Sequence, residues 1–220
     1  MKILCVSDHI DPVIYSHQIR KRFSHVDIIL SAGDLRLTYY DFIVSNLNKP
    51  LLFVFGNHRL NGIEYYKKKY RVEPYKNLHR KLKFQSVGGT YIDSRIVKIK
   101  GLLIGGLGGS MWYNGGINQF SEAGMFFKMM RMIPRLLWNR LFHGRFIDIL
   151  LTHSPPRGIH DKKDRCHQGF KVFRLFMKLF KPRYLVHGHV HLYDQNEKRK
   201  DILGRTMIIN AYDHCIIEVD

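Results

Sequence analysis

The chain has 220 residues, 45% of them hydrophobic, and no Ser-, Gly- or Pro-rich linker divides it, so one domain over 1–220 with a full buried core is expected. No uninterrupted apolar run reaches the length of a membrane span, and the three cysteines, odd in number and without paired spacing, exclude a disulfide framework and a cysteine-based zinc module. The 36 Lys and Arg against 18 Asp and Glu leave a formal charge of +18, which argues against a basic partner and for an acidic one: a phosphorylated substrate, nucleic acid or an anionic membrane surface.

Met1-Lys2 leads straight into Ile3 to Val6, whose composition is that of a buried strand. The expectation is a cytoplasmic chain without a leader, at most peripheral to a membrane, with Cys5, Cys166 and Cys215 reduced. Asp11-Pro12 is a capping residue followed by one suited to a first helical turn, and it predicts a helix over Val13 to Phe23. Strand Val26 to Leu30, helix Tyr39 to Asn48, strand Leu51 to Phe55 and helix Ile63 to Tyr70 follow, an alternation that implies parallel βαβ units. From Phe84 to Gly109 the pattern changes to short strands, among them Arg95 to Lys100 and Leu102 to Gly105, which would supply a second sheet. Gly105, Gly106, Gly108 and Gly109 lack the Lys-Ser/Thr ending of a phosphate loop and the dinucleotide spacing, so they read as a close backbone approach.

The run Trp112-Tyr113-Asn114-Gly115-Gly116 with Asn118-Gln119 is either a substrate-contacting loop or an ordinary connection. Next comes a basic amphipathic segment at about 121–143, predicted helical from Ala123 to Phe142, in which Lys128, Arg131, Arg135 and Arg140 interrupt a stripe of Met, Phe, Ile and Leu. Pro134 should kink or divide it. Three readings stay open: a helix packed on the sheet with its basic face in water, a lid over the functional rim, or an interfacial helix on anionic lipid. Strand Ile147 to Leu151, helix Phe170 to Phe180, strand Tyr184 to Val186 and a strand-like stretch from Ile202 to Val219, with a hairpin near Tyr212-Asp213, complete the chain.

Five polar runs each follow an apolar stretch: Ser7-Asp8-His9, Gly33-Asp34, Gly56-Asn57-His58, Thr152-His153 and Gly188-His189-Val190-His191. In an open α/β sheet, sites gather beyond the carboxyl ends of strands, so these runs would deliver Asp8, Asp34, Asn57, His153, His189 and His191 to one rim. Carboxylates, an amide oxygen and imidazoles together suit divalent Mn, Fe or Zn better than Ca or Mg.

The order of these runs resembles the calcineurin-like metallophosphoesterase superfamily, whose pattern is Asp-x-His, Gly-Asp, Gly-Asn-His, a later His and Gly-His-x-His, and the match spans Asp8 to His191. The stretch Thr152-His153-Ser154-Pro155-Pro156-Arg157-Gly158, followed by Asp161 and Gly169, is most similar to the branch containing the fetal-brain 239 type proteins. The resemblance implies an α/β fold, a four-layer α/β/β/α sandwich of two mixed β-sheets flanked by helices, and a phosphoesterase with two divalent metal ions acting on a phosphodiester or small phosphomonoester. It places the first ion on Asp8, Asp34 and His191, and the second on Asp34, Asn57, His153 and His189. One ligand is missing: Ile10 stands where the pattern has His, and His9 lies one residue early, so the first ion should bind more weakly. A water or hydroxide held by the ions would attack phosphorus, and His58 would protonate the leaving oxygen. Arg59 either clamps a phosphate oxygen or is a solvated surface residue. Arg157, His160 and Asp161, with Asp164 and His167 nearby, would hold a phosphate, orient His153 or ligate another ion, or else form a charged loop. The rival reading is a catalytically impaired scaffold of this fold that binds protein, nucleic acid or anionic membrane.

Overall fold

The computed structural model describes residues 1–67, 88–194 and 196–219. The end of the helix expected over 63–70, most of the basic stretch 67–83 and the start of the strand-rich stretch 84–109 lie outside the described residues. In chain order the first half contains β1 (Lys2–Ser7), α1 (Ile19–Phe23), β2 (Ile28–Ser31), α2 (Leu37–Leu47), β3 (Leu51–Phe53), α3 (Ile63–Tyr66), β4 (Gly89–Tyr91), β5 (Ile96–Ile99) and β6 (Leu102–Leu107). The second half contains β7 (Ser110–Met111), β8 (Gln119–Phe120), α4 (Glu122–Met130), α5 (Ile133–His143), β9 (Ile149–Thr152), α6 (Lys171–Phe180), β10 (Tyr184–His187), β11 (Lys200–Leu203), β12 (Thr206–Asn210) and β13 (Asp213–Glu218).

The first large sheet has the order β13-β1-β2-β3-β4 and the second β11-β12-β10-β9-β6-β5. In each, the central strands are parallel and an antiparallel strand closes an edge: β13 on the first, β11 and β5 on the second. Alternation along the strands explains the layering. Ile3 and Cys5 point to a core shared with Ile149, Leu151 and Val186 of the second sheet. Leu4 and Val6 point the other way, under Ile19, Phe23, Tyr40 and Ile43 of α1 and α2. Leu150, Leu185 and Ile208 face Met125, Met129, Leu136, Phe173 and Phe176 of α4, α5 and α6. Three cores therefore separate four layers, the α/β/β/α sandwich that the resemblance implied. Burial on both strand faces also pins register, because a one-residue slip would exchange the two cores.

Several local expectations are corrected. Asp11 does not open a helix at Val13: its Oδ1 accepts the Val13 N–H at 2.7 Å and its carbonyl accepts those of Ile14 and Tyr15, so the chain makes a turn and helix begins only at Ile19. Side-chain capping of this kind stabilises turns as readily as helix starts. The segment predicted helical over Ala123 to Phe142 is, by contrast, divided as Pro134 required: it forms two helices, with Pro134 in the first turn of α5, where a missing N–H costs nothing. No hairpin forms at Tyr212-Asp213. β12 ends in the second sheet and β13 belongs to the first, so this segment crosses between sheets, while the hairpin is β11–β12 around Gly204. Cys5 and Cys215 are cross-strand partners and are free thiols. Among the described residues, no helix is long and apolar enough to cross a membrane.

Candidate metal centre

Five of the parallel strands each hand a polar residue to one rim: Asp8 after β1, Asp34 after β2, Asn57 after β3, His153 after β9 and His189 after β10. Asp8, Asp34 and His189 have φ of 66°, 57° and 69°, a left-handed conformation that costs a non-glycine residue about 1–3 kcal/mol. The surrounding hydrogen bonds hold them there and turn their side chains inward. Gly56 admits this convergence, since a Cβ there would lie 2.1 Å from Asp34 Oδ1 and 2.4 Å from His153 Cε1. Gly108 does the same between sheets, where a Cβ would meet the Phe55 carbonyl oxygen at 2.5 Å, and the Gly109 N–H donates to that oxygen at 2.8 Å. The glycine run is thus the close backbone approach anticipated from sequence.

His153 is fully buried. Its Nδ1–H donates to the Ala32 carbonyl at 2.8 Å, which turns Nε2 inward, 3.1 Å from Asn57 Oδ1 and 3.4 Å from Asp34 Oδ2. Asn57 turns its Nδ2 to the Tyr113 hydroxyl at 3.3 Å, so its oxygen is the atom presented inward. The His189 ring lies 4.8 Å from that of His153 and directs Nε2–H to the Cys166 carbonyl at 2.5 Å, freeing Nδ1. Ligand atoms of Asp34, His153 and His189 all lie within 4.8 Å of one another, a span that an ion with bonds of about 2 Å closes by small side-chain rotations. Asp8 stands beside this trio, its two oxygens accepting the His189 N–H at 3.1 and 2.9 Å, and His191 Nε2 lies 4.0 Å from Asp8 Oδ1. His9 turns elsewhere: its Nδ1 is 2.7 Å from Asp213 Oδ1, and Ile10 packs into the core beneath α1 and α2.

Burial sets the electrostatics. Burial, partly offset by the charge on His153 and reinforced by Asp34, raises Asp8 to about 6. Asp34 is buried too, but the His153 charge and the hydrogen bonds from His153 and the His58 N–H outweigh that and hold it at about 2. Burial opposes a charged His153, yet Asp34 and Asp8 outweigh it and raise the imidazole to about 9. Burial and the His153 charge depress His189 to about 3, leaving it neutral at neutral pH, as a metal ligand must be. A carboxylate held ionised, a neutral imidazole, an amide oxygen and a second imidazole with a fixed tautomer fit a divalent ion. That ion must displace the proton on His153 and, below about pH 6, one on Asp8. Ion affinity is therefore expected to rise from about pH 5 to about pH 9, with net proton release. Calorimetry in buffers of differing ionisation enthalpy measures both, and uptake without proton release would contradict this assignment.

His58 is exposed at the mouth, and its backbone N–H donates to Asp34 Oδ1 at 2.8 Å. Arg59 beside it is exposed, with φ 49°. Arg157, His160 and Asp161 lie outside the ligand cluster. Asp161 accepts the Gly158 and Gly169 N–H groups at 2.8 and 3.1 Å, with Arg157 Nε at 3.8 Å, so it ties its own loop together. His160 Nδ1 is 2.9 Å from His187 Nε2, and His187 Nδ1 is 2.9 Å from the Gly188 carbonyl oxygen, so His160 touches the rim only through the residue before Gly188. Asp164, Cys166 and His167 form a second, more exposed group, with the His167 ring 5.4 Å from that of His189.

A buried ionic network behind Asn57 escaped the sequence reading. Asp93 Oδ1 is 2.8 Å from Lys128 Nζ and accepts the Gly108 N–H at 2.8 Å, while Oδ2 is 2.9 Å from Lys67 Nζ. Lys67 also donates to Asn118 Oδ1 at 2.6 Å, and Asn118 Nδ2 donates to the carbonyls of Phe55 and Gly56, just before Asn57. Lys128 is the correction here, since a residue assigned to a solvated basic face is 6% exposed. The one signal for it was a cation in register with Met125 and Met129.

A family model described as Calcineurin-like phosphoesterase matches residues 1–193. Among solved structures, TT1561 of Thermus thermophilus is similar with a TM-score of 0.59 at 14% identity, covering 96% of this chain and 89% of that one. Another solved structure has a TM-score of 0.63 at 11% identity, covering 98% and 94%. A structure described as a novel archaeal phosphodiesterase aligns with a TM-score of 0.46 at 15% identity, covering 97% and 84%. No curated protein matches. With the matched model running through every rim residue described above, the chain belongs to the calcineurin-like phosphoesterase family.

Proposed function

We propose that the chain hydrolyses a phosphodiester or small phosphomonoester with two divalent ions, Mn, Fe or Zn, of which the better-held one sits on Asp34, Asn57, His153 and His189. The observation that carries this reading is the convergence of Asp34, His153 and His189 at the strand ends, with Asn57 Oδ1 turned toward them. When bound, such ions acidify a water into a nucleophile at neutral pH and draw charge from the phosphoryl oxygens. Asp8 and His191 serve the weaker ion, and Asp34 is shared. The Ala32 carbonyl and the Cys166 carbonyl set the tautomers of His153 and His189, so that each ring offers a lone pair inward. His58 is positioned by its N–H to Asp34 and leaves its exposed ring to meet the departing oxygen with a proton. Arg59, beside it at the mouth, pairs with a non-bridging phosphate oxygen. The interlock of Asp161 with Gly158 and Gly169 makes one loop of the Thr152–Gly158 motif and its downstream residues, which supports placing the chain in the fetal-brain 239 type branch. By that reading the loop's Arg157, His160 and Asp161 shape the substrate side of the rim.

His58→Ala is expected to lower turnover of a chromogenic phosphodiester by about 10²–10⁴-fold with ion content unchanged. Loss of ions in that variant would reassign His58 to the metal shell. The engagement of His9 with Asp213 favours a second reading, a scaffold whose first ion site is too poor for chemistry. Loading with Mn, Fe or Zn decides between them: uptake without turnover on any ester supports the scaffold, and turnover that depends on Asp34 and His58 supports the hydrolase.

A further inference from the structure

The second helix of the α4–α5 pair is built the wrong way round for a helix that only covers a sheet. α5 buries Leu136 and Asn139, and sends Leu137, Trp138, Leu141 and Phe142 into water with 57%, 52%, 75% and 56% of their surfaces exposed. At about 100° per residue these four share one outward arc of about 140°, and Arg135 and Arg140 fall at its two borders. No acidic residue occurs from Ile133 to Arg145. The preceding helix adds exposed Phe127 and Met130, and Arg131 follows them.

A second feature lies on α6. Phe146 packs between the Arg140 guanidinium, 5.9 Å from its ring centre, and Phe180, at 5.4 Å, so the ends of α5 and α6 meet. Beside that junction a cleft of about 480 Å³ is lined by Arg174, Lys178, Lys181 and Arg205 with Leu175 and Leu203 among them, four cations and no acid around an apolar floor. The α5 face sits away from the rim, and the cleft reaches toward it only at Arg174, which donates to the Arg157 carbonyl at 3.0 Å. Arg145, just after α5, donates to the Gly101 carbonyl at 2.8 Å and to Asp148 at 2.7 Å, at the amino ends of β6 and β9, whereas the ligands stand at the carboxyl ends.

We propose that this face of α5, with the adjoining cationic cleft of α6, is a docking surface for an anionic lipid bilayer. Large apolar side chains enter the acyl boundary, the indole settles at the headgroup level, and the bordering arginines reach lipid phosphates. A second copy of the chain fits poorly, because a two-fold contact would oppose the same arginines across it. Nucleic acid would satisfy the arginines and leave four apolar side chains in water, unlike the polar interfaces such complexes form. Docking is independent of the phosphoesterase reading, since the rim stays open to solvent.

The test is co-sedimentation of the full chain with vesicles of phosphatidylcholine alone, or of phosphatidylcholine and phosphatidylglycerol in equal parts. Binding is expected only to the mixed vesicles, and Leu141→Ser with Phe142→Ser, or Arg131→Gln with Arg135→Gln, should each weaken it about tenfold. All these side chains are exposed, and circular dichroism and the thermal midpoint of each variant should match the parent. In a Trp112→Phe background, emission from the remaining Trp138 should shift to the blue with mixed vesicles alone. Three outcomes overturn the proposal. They are equal binding to neutral vesicles; binding that survives the serine pair and vanishes with the glutamine pair, the mark of a purely electrostatic anion site; and self-association abolished by the serine pair without vesicle binding.

Discussion

Asp34→Asn is expected to remove bound ion and turnover together, with kcat/KM for a chromogenic phosphodiester falling on the order of a thousandfold or more, about 4 kcal/mol of transition-state stabilisation. Asp34 is the one carboxylate within the tightest ligand group, and its two oxygens face different partners: Oδ1 takes the His58 N–H, and Oδ2 faces His153. An amide there keeps the shape and loses the charge. The His153 pKa, raised chiefly by Asp34, should then fall toward the ordinary imidazole value, which carbon-detected or proton NMR of the ring follows directly. Asn also tolerates the left-handed backbone at φ 57°, so the variant should fold. Parent-like ion content in Asp34→Asn would remove Asp34 from the centre.

Asp93→Ala should cost about 3–5 kcal/mol of stability, because it leaves the buried Lys128 and the nearly buried Lys67 without their shared counter-charge. For a chain of this size that is a fall in thermal midpoint on the order of 10 °C. The pH dependence has a definite sign. Burial works against the Asp93 carboxylate, but Lys128 and Lys67 hold its pKa well below the usual carboxylate range, so its contribution is present above about pH 4 and fades as acid approaches the folded-state value. The gap between parent and variant should therefore hold down to about pH 4 and narrow below it in urea titrations. Adding Lys128→Met should restore part of the loss, since an unpaired buried cation is worse than a thioether of similar length. Ion affinity should fall as well in Asp93→Ala, because Lys67 and Asn118 link Asp93 to the carbonyls before Asn57.

The rim was legible in the sequence because each of its residues follows an apolar run buried on both faces, and the carboxyl ends of parallel strands must share one side of the sandwich. Side-chain direction was less legible. Whether His9 or Ile10 faces the centre depends on Asp213, a residue more than two hundred positions away that binds the His9 ring. The helix start at Ile19 was hidden because Asp11 offers one signal for two structures, a cap and a turn. The sheet crossing at Tyr212 was hidden because β12 and β13 both read as short strands around an Ile-Ile pair, and nothing local marks which sheet receives each. Lys128 looked solvated because a charge in an apolar stripe usually is, and its counter-charge, Asp93, sits on a loop with no local mark. The split at Pro134 was visible, yet which way α5 would face was not, since its outward side is as apolar as a core-facing one.

The three rim residues with positive φ bear on whether the chain has abandoned its ions. Glycine at Asp8, Asp34 or His189 would release backbone strain at each position, at the cost of the hydrogen bonds and counter-charge that the two acids give to His58, His153 and His189. Two acids and an imidazole thus stand where the main chain least tolerates a side chain, and on the metal-centre reading that strain is the cost of aiming all three at one point.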